Sequence, residues 1–342
     1  MRLLDLQTAI HGFSLASTAT NRRSISLYSH TAMDWSPLAP ARLDVEPNKL
    51  ITSVPQLAKD VDYAREIKIA FKAELRTQPT SESTPYLYQD AHGKTCHGHL
   101  IRTKGMSPES AVPGILFFHT GAGPHDVCLH WKADSLVTNS EVFPDGCVVL
   151  VTDILGDDAG WAWSPDRTKY NAARQEVLGI DNDGVRINLR VKIEAALKEL
   201  KAAPGVDSTR LAAMGWCLGG HSILEIARMK AESIQAMVTF HGVFDDIPPP
   251  PPADEGTSTE NTCRILICNG TEDPFVPESS LRNAMDTMKQ HGHEVTLLEL
   301  KGAKHGFTSP AQDFNSNEAF GFNREGAAEA WSSTLELLKS AM

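Results

Sequence analysis

Beyond residue 84 the chain alternates short apolar runs with stretches of helical spacing. "GILFFH" at 114–119 and "CVVLVTD" at 147–153 are continuous apolar runs, the pattern of strands buried on both faces of a sheet. "RLAAMGW" at 210–216, "AMVTFHG" at 236–242, "RILICNG" at 264–270 and "EVTLLEL" at 294–300 read as further strands. Between them, Val185, Leu189, Ile193, Ala196, Leu197 and Leu200 fall along one face of a helix over about 183–202. "HSILEIARMK" at 221–230, residues 278–291 and residues 324–341 predict three more helices. "YLYQDAHGKTCHGHLIR" at 86–102 predicts a hairpin turning at His92-Gly93. Strands alternating with helices imply an α/β domain over 84–342, its mostly parallel sheet covered by helices on both faces.

The chain before this domain has another character. Residues 34–55 hold four prolines and predict an extended arm, residues 57–75 a helix, and "TQPTSESTP" at 77–85 a linker. The first 33 residues carry Arg2, Arg22 and Arg23, many Ser and Thr, and Asp5 as their sole acid. They read either as an organelle transit peptide, placing the enzyme in a mitochondrion or plastid, or as an untargeted leader on a cytoplasmic protein. The run Pro248–Pro252 cannot join a sheet ladder and predicts an exposed polyproline turn.

Composition narrows the partners. The net charge of −11 argues against a nucleic-acid backbone or an anionic membrane as partner. The six cysteines match no disulfide framework, which suits a reducing compartment. Cys263 and Cys268 flank an apolar run and read as part of a buried strand. "HGKTCHGH" at 92–99 imitates a metal-binding cluster, but a hairpin alternates its faces and so points Cys96 and His97 apart.

In a doubly wound sheet, ligands gather beyond the carboxyl ends of the strands. The residues there include His119-Thr120-Gly121, Asp153, Cys217, His241, Asp273 and His305. Cys217, Asp273 and His305 appear in the nucleophile–acid–histidine order of α/β-hydrolases, with sulfur replacing oxygen. In such a triad the histidine takes the nucleophile's proton, and the acid fixes the imidazole's tautomer and supports its charge. In "GWCLGG", Gly215 and Gly219 clear the space that a sharp turn at Cys217 requires. A helix starting beyond Gly219 would aim its amide dipoles at the sulfur and favour a thiolate.

"GWCLGG", "NGTEDPFVP" and "GAKHGFT" together resemble the dienelactone hydrolase family over roughly 84–342. The resemblance implies an α/β-hydrolase fold, a Cys217–Asp273–His305 triad, thioester chemistry on esters or lactones, and no metal or organic cofactor. It also implies an oxyanion hole from the amides of Leu218 and Gly121. The sequence departs from the family in two respects. Thr120 stands where the family carries a glutamate that controls the cysteine. The arginines that hold the substrate's carboxylate are missing: Gly156 and Asp157 stand at one place, and Gly-Phe-Thr-Ser-Pro follows His305 at the other. Asp157, Asp158, Trp161 and Trp163 over the mouth would favour a neutral or apolar ester or lactone. Thr120, Trp161, Trp163 and His241 are the candidate substrate contacts. Two rival readings use the same residues: a thioesterase or acyl transferase, and a non-catalytic scaffold with a redox-sensitive Cys217.

Overall fold

The computed structural model describes residues 81–161, 167–247, 261–309, 312, 315 and 317–342. The expected arm, helix and leader, the proline run and Trp163 lie outside the described residues, and the linker expected over 77–85 is corrected at its end, where Ser81 to Pro85 already pair as a strand with Thr103 to His99.

The described chain runs β1 (Ser81–Gln89), β2 (Thr95–Thr103), β3 (Val112–Phe118), α1 (Val127–Val137), β4 (Val148–Val151), α2 (Arg167–Leu178), α3 (Ile187–Ala202), β5 (Val206–Trp216), α4 (Gly219–Met229), β6 (Ile234–Phe240), β7 (Arg264–Gly270), α5 (Glu278–Gln290), β8 (Glu294–Leu300) and α6 (Arg324–Ala341). These strands form one sheet in the order β1-β2-β4-β3-β5-β6-β7-β8. β1, β2 and β4 pair antiparallel, and every pairing from β4 through β3 to β8 is parallel. The β1–β2 hairpin turns where the His92-Gly93 signal places it. Gly93 takes φ +77°, and Asp90 Oδ1 accepts from the amides of His92 and Lys94, both at 2.9 Å. The turn leaves Cys96 buried and His97 half-exposed.

Alternation along the central strands sorts their side chains into two cores. Leu116 and Phe118 of β3 face a core built with α3, α4 and α5. Ile115 and Phe117 face the opposite core, built with α1 and α6. On that second side Trp216 stacks on Phe240 at 5.0 Å between ring centroids, with Trp331 of α6 6.4 Å beyond. Cys268 is buried in β7, and Cys263 is buried just before it. Two helices, α1 and α2, go beyond the sequence expectation. α1 begins at Asp126, whose carboxylate caps the amide of Cys128 at 2.9 Å. The parallel arrangement delivers the ends of β3, β5, β6, β7 and β8 to one edge of the sheet, where the candidate residues meet.

Candidate active site

Cys217 follows β5 directly and has φ +51°, a left-handed conformation that a residue with a Cβ seldom adopts. Its surroundings enforce the turn. The Cys217 amide donates to Phe240 O at 3.2 Å, and its carbonyl accepts from Gly220 and Val243, both at 2.9 Å. The flanking glycines make it sterically feasible. A Cβ on Gly215 would collide with the carbonyl oxygen of Gly219, and one on Gly219 with that of Phe118. A Cβ on Gly220 would come within 2.7 Å of Gly242 Cα. Strand, turn and helix therefore pack at backbone contact, and the thiol stands at the amino end of α4.

β7 and β8 supply the other two groups. His305 Nε2 lies 3.2 Å from Cys217 Sγ, and His305 Nδ1 lies 2.8 Å from Asp273 Oδ2. The remaining oxygen of Asp273 accepts from the Phe275 amide at 2.9 Å. The backbone of His305 is pinned to the segment before α6, its amide donating to Ala319 O at 3.1 Å. Three rings enclose its imidazole edge to face: Phe275 at 4.9 Å, His241 at 4.9 Å and Phe320 at 5.2 Å between centroids. Thiol, imidazole and carboxylate thus form one continuous hydrogen-bonded line.

The charges in this line reinforce each other. Burial alone would push the Cys217 thiol up. The imidazolium of His305, its hydrogen bond and the Leu218 amide outweigh that and bring it below the ordinary thiol value. Burial would lower His305, yet the thiolate and Asp273 hold it well above its ordinary value. Both shifts run in the direction of a thiolate–imidazolium pair. Burial pushes Cys96 up to about 11, and Cys128 and Cys263 up to about 12. Cys147 and Cys268 shift upward for the same reason.

The loop after β3 is held by its own polar groups. His119 Nδ1–H donates to Thr120 O at 2.6 Å while its Nε2 accepts from the Ile154 amide at 3.0 Å. Thr120 Oγ1 accepts from the Ala122 amide at 3.1 Å and faces Asp126 Oδ2 at 3.4 Å. Trp161, 2% exposed, donates its indole N–H to Gly121 O at 3.1 Å. Thr120 and Trp161 therefore shape this loop from within. His241 is buried behind His305, its Nε2 3.2 Å from Thr308 Oγ1. His125 and His130 belong to a separate cluster with His99, in which His99 Nε2 and His125 Nδ1 are 2.7 Å apart.

The acids expected over the mouth have other engagements. Asp158 Oδ1 accepts from the Thr95 amide at 2.7 Å and Asp157 Oδ1 from the Ala159 amide at 3.0 Å. On α2, Arg174 forks onto Asp245 at 2.7 and 2.5 Å. Asp245 also faces His221 Nε2 at 3.0 Å. Arg186, fully buried, lies 2.9 Å from His221 Nδ1 and donates to the carbonyls of Asp245 and Asp246 at 3.0 and 2.6 Å. Sequence reasoning missed this clasp between α2 and α4, since its members are scattered over 72 positions from Arg174 to Asp245.

A sharp strand–turn–helix at the centre of a mostly parallel sheet, with acid and histidine on later strand ends, defines an α/β-hydrolase fold. The comparisons narrow the class. Residues 101–342 match the dienelactone hydrolase family, and the chain belongs to it. A probable 2-oxo-3-(5-oxofuran-2-ylidene)propanoate lactonase of Bradyrhizobium sp. is 29% identical over 199 residues, covering 57% of this chain and 73% of that protein. An uncharacterized protein of Caenorhabditis elegans is 30% identical over 155 residues, 45% of this chain and 94% of that one. The solved structure described as m3DLH superposes with a TM-score of 0.64 at 26% identity, over 77% of this chain and 99% of its own. A dienelactone hydrolase-like promiscuous phosphotriesterase from metagenomic libraries gives 0.61 at 25% identity, with the same coverage. The protein is a hydrolase acting on ester or lactone bonds.

Proposed function

We propose that this hydrolase works through Cys217, His305 and Asp273 and forms a thioester acyl-enzyme on a small ester or lactone. The observation that carries the reading is the unbroken line from Sγ to Nε2 at 3.2 Å and from Nδ1 to Oδ2 at 2.8 Å. The thiolate of Cys217 attacks the carbonyl carbon, and the carbonyl π electrons move onto oxygen. The amides of Leu218 and Gly121 receive that oxyanion. The intermediate collapses, the C–O bond breaks, and His305 protonates the departing alkoxide. His305 then takes a proton from water, which attacks the thioester and frees the acid. Asp273 holds the Nδ1–H tautomer throughout. Because His305 already stabilises the thiolate, this scheme needs no carboxylate at Thr120. Thr120, Trp161 and His241 serve it indirectly, the first two by fixing the Gly121 loop and the third by backing His305.

The test is a panel of activated esters and lactones offered to the wild type and to Cys217→Ala. Turnover in the wild type with loss of at least about 10³-fold in Cys217→Ala supports the reading. Comparable turnover in both proteins rejects it.

A further inference from the structure

Helix α2 takes no part in this chemistry so far, yet it presents a phenol to it. Tyr170, Ala173 and Val177 recur at helical spacing on the face that packs against the core. Tyr170 explains why residue 121 is glycine. A Cβ there would lie 2.7 Å from Tyr170 Cε2 and 3.4 Å from its hydroxyl oxygen. The phenol oxygen therefore stands beside the backbone of the residue proposed as the second oxyanion donor. The ring is held from several directions. Arg167 caps its face at 4.0 Å, and Trp161, which binds Gly121 O, lies 6.3 Å away. One turn later the Arg174–Asp245–His221 clasp ties the helix to α4, which begins at the thiol. Among the described residues, no hydrogen bond engages the Tyr170 hydroxyl. Burial, and next the charge on Cys217, push Tyr170 up to about 12, so the phenol keeps its proton at neutral pH.

We propose that Tyr170 is a further catalytic residue, whose phenolic O–H donates a hydrogen bond to the acyl oxygen beside the amides of Leu218 and Gly121. The inference rests on the thiol-hydrolase reading above. When the S–C bond forms, the carbonyl π electrons become the oxyanion, and Tyr170 stabilises it without transferring its proton. When the oxyanion re-forms the carbonyl and the alkoxide leaves, the phenol remains protonated for the second attack by water.

The experiment compares wild type with Tyr170→Phe on an oxoester and on the thionoester of the same skeleton. Sulfur accepts hydrogen bonds poorly, so a donor to the acyl oxygen matters less on the thionoester. On the oxoester, kcat is expected to fall about 10- to 100-fold, with KM within about 3-fold of wild type. On the thionoester the penalty shrinks to less than about 3-fold. The rate and pH profile of Cys217 alkylation by iodoacetamide stay unchanged, because the phenol does not create the ion pair. A kcat within about 2-fold of wild type, an equal penalty on both esters, or slowed alkylation overturns the proposal. The parent reading fails by a different sign: wild-type turnover that survives stoichiometric alkylation of Cys217.

Discussion

At the scale of single residues, reactivity here is a matter of which charges share a small volume. The chain carries six cysteines, and Cys217 alone among them is shifted down. Its thiolate form persists as pH falls below the ordinary thiol value, near about 8.5, and is lost only when the pH drops through its lowered pKa. Iodoacetamide should therefore label Cys217 first at pH 7, and labelling should abolish hydrolysis. The midpoint of the rate–pH curve should lie below the ordinary value. In His305→Ala the ion-pair partner is gone and burial remains, so the midpoint should move up. A wild-type midpoint at or above the ordinary thiol value would contradict the ion pair. In the proposed scheme Cys217, His305 and Asp273 act as a unit, so His305→Ala and Asp273→Asn should each lower kcat by at least about 10²-fold with the fold intact by circular dichroism. All three residues were readable in the sequence, because each directly follows or nearly follows a strand and their order matches the fold. Tyr170 was not. Its importance lies in its distance to Gly121, and no local pattern encodes a contact across 49 positions.

At the scale of elements, the turn at Cys217 is maintained by glycines whose missing side chains are replaced by backbone. Gly219→Ala would press a methyl against the carbonyl of Phe118, which belongs to the central strand β3 and cannot swing aside. A loss of about 1–3 kcal/mol in urea unfolding is expected, with kcat falling as the thiol shifts. Unchanged stability would mean that the turn is looser than its contacts indicate. Helix α2 depends on a different device. Asp245 is the common acceptor of Arg174 and His221, so Asp245→Ala leaves two donors facing each other without it. About 1–3 kcal/mol is expected from the unpaired groups, together with faster amide exchange in α2. Five of the six predicted parallel-type strands were legible because a strand covered on both faces must be apolar throughout, whereas β8 is a partly exposed edge strand, readable only from its shorter apolar content. α1 and α2 were not legible. The inward face of α2 carries Tyr170, Ala173, Arg174 and Val177, and a helix held partly by an ion pair shows only a weak apolar stripe.

At the scale of the whole molecule, substrate preference follows from which surface the fold turns toward the thiol. The loop acids suggested neutral substrates; Asp158 Oδ1 accepts from the Thr95 amide of β2, and on α2 Arg167 lies over the ring of Tyr170 at 4.0 Å. Two unit charges about 4 Å apart interact by about 4 kcal/mol at an effective dielectric near 20, and solvent reduces this. Arg167→Gln should therefore lower kcat/KM more for a carboxylated ester than for a neutral one of equal size, measured at low salt. Equal losses on both would leave the charge preference without a source in α2. The sequence alone determined the α/β class, the strand order in the chain, the hairpin and the chemical type of the three aligned groups. These depend on residue type and on spacing along a strand or helix, which sterics and burial impose locally. Only the tertiary structure decided that Trp161 and Thr120 brace the Gly121 loop, that the loop acids accept from nearby backbone amides, and that α2 lays the Tyr170 phenol beside the Gly121 backbone. Those outcomes depend on which distant segments the closed sheet brings within a few ångströms, where burial and charge act on the pair rather than on either residue.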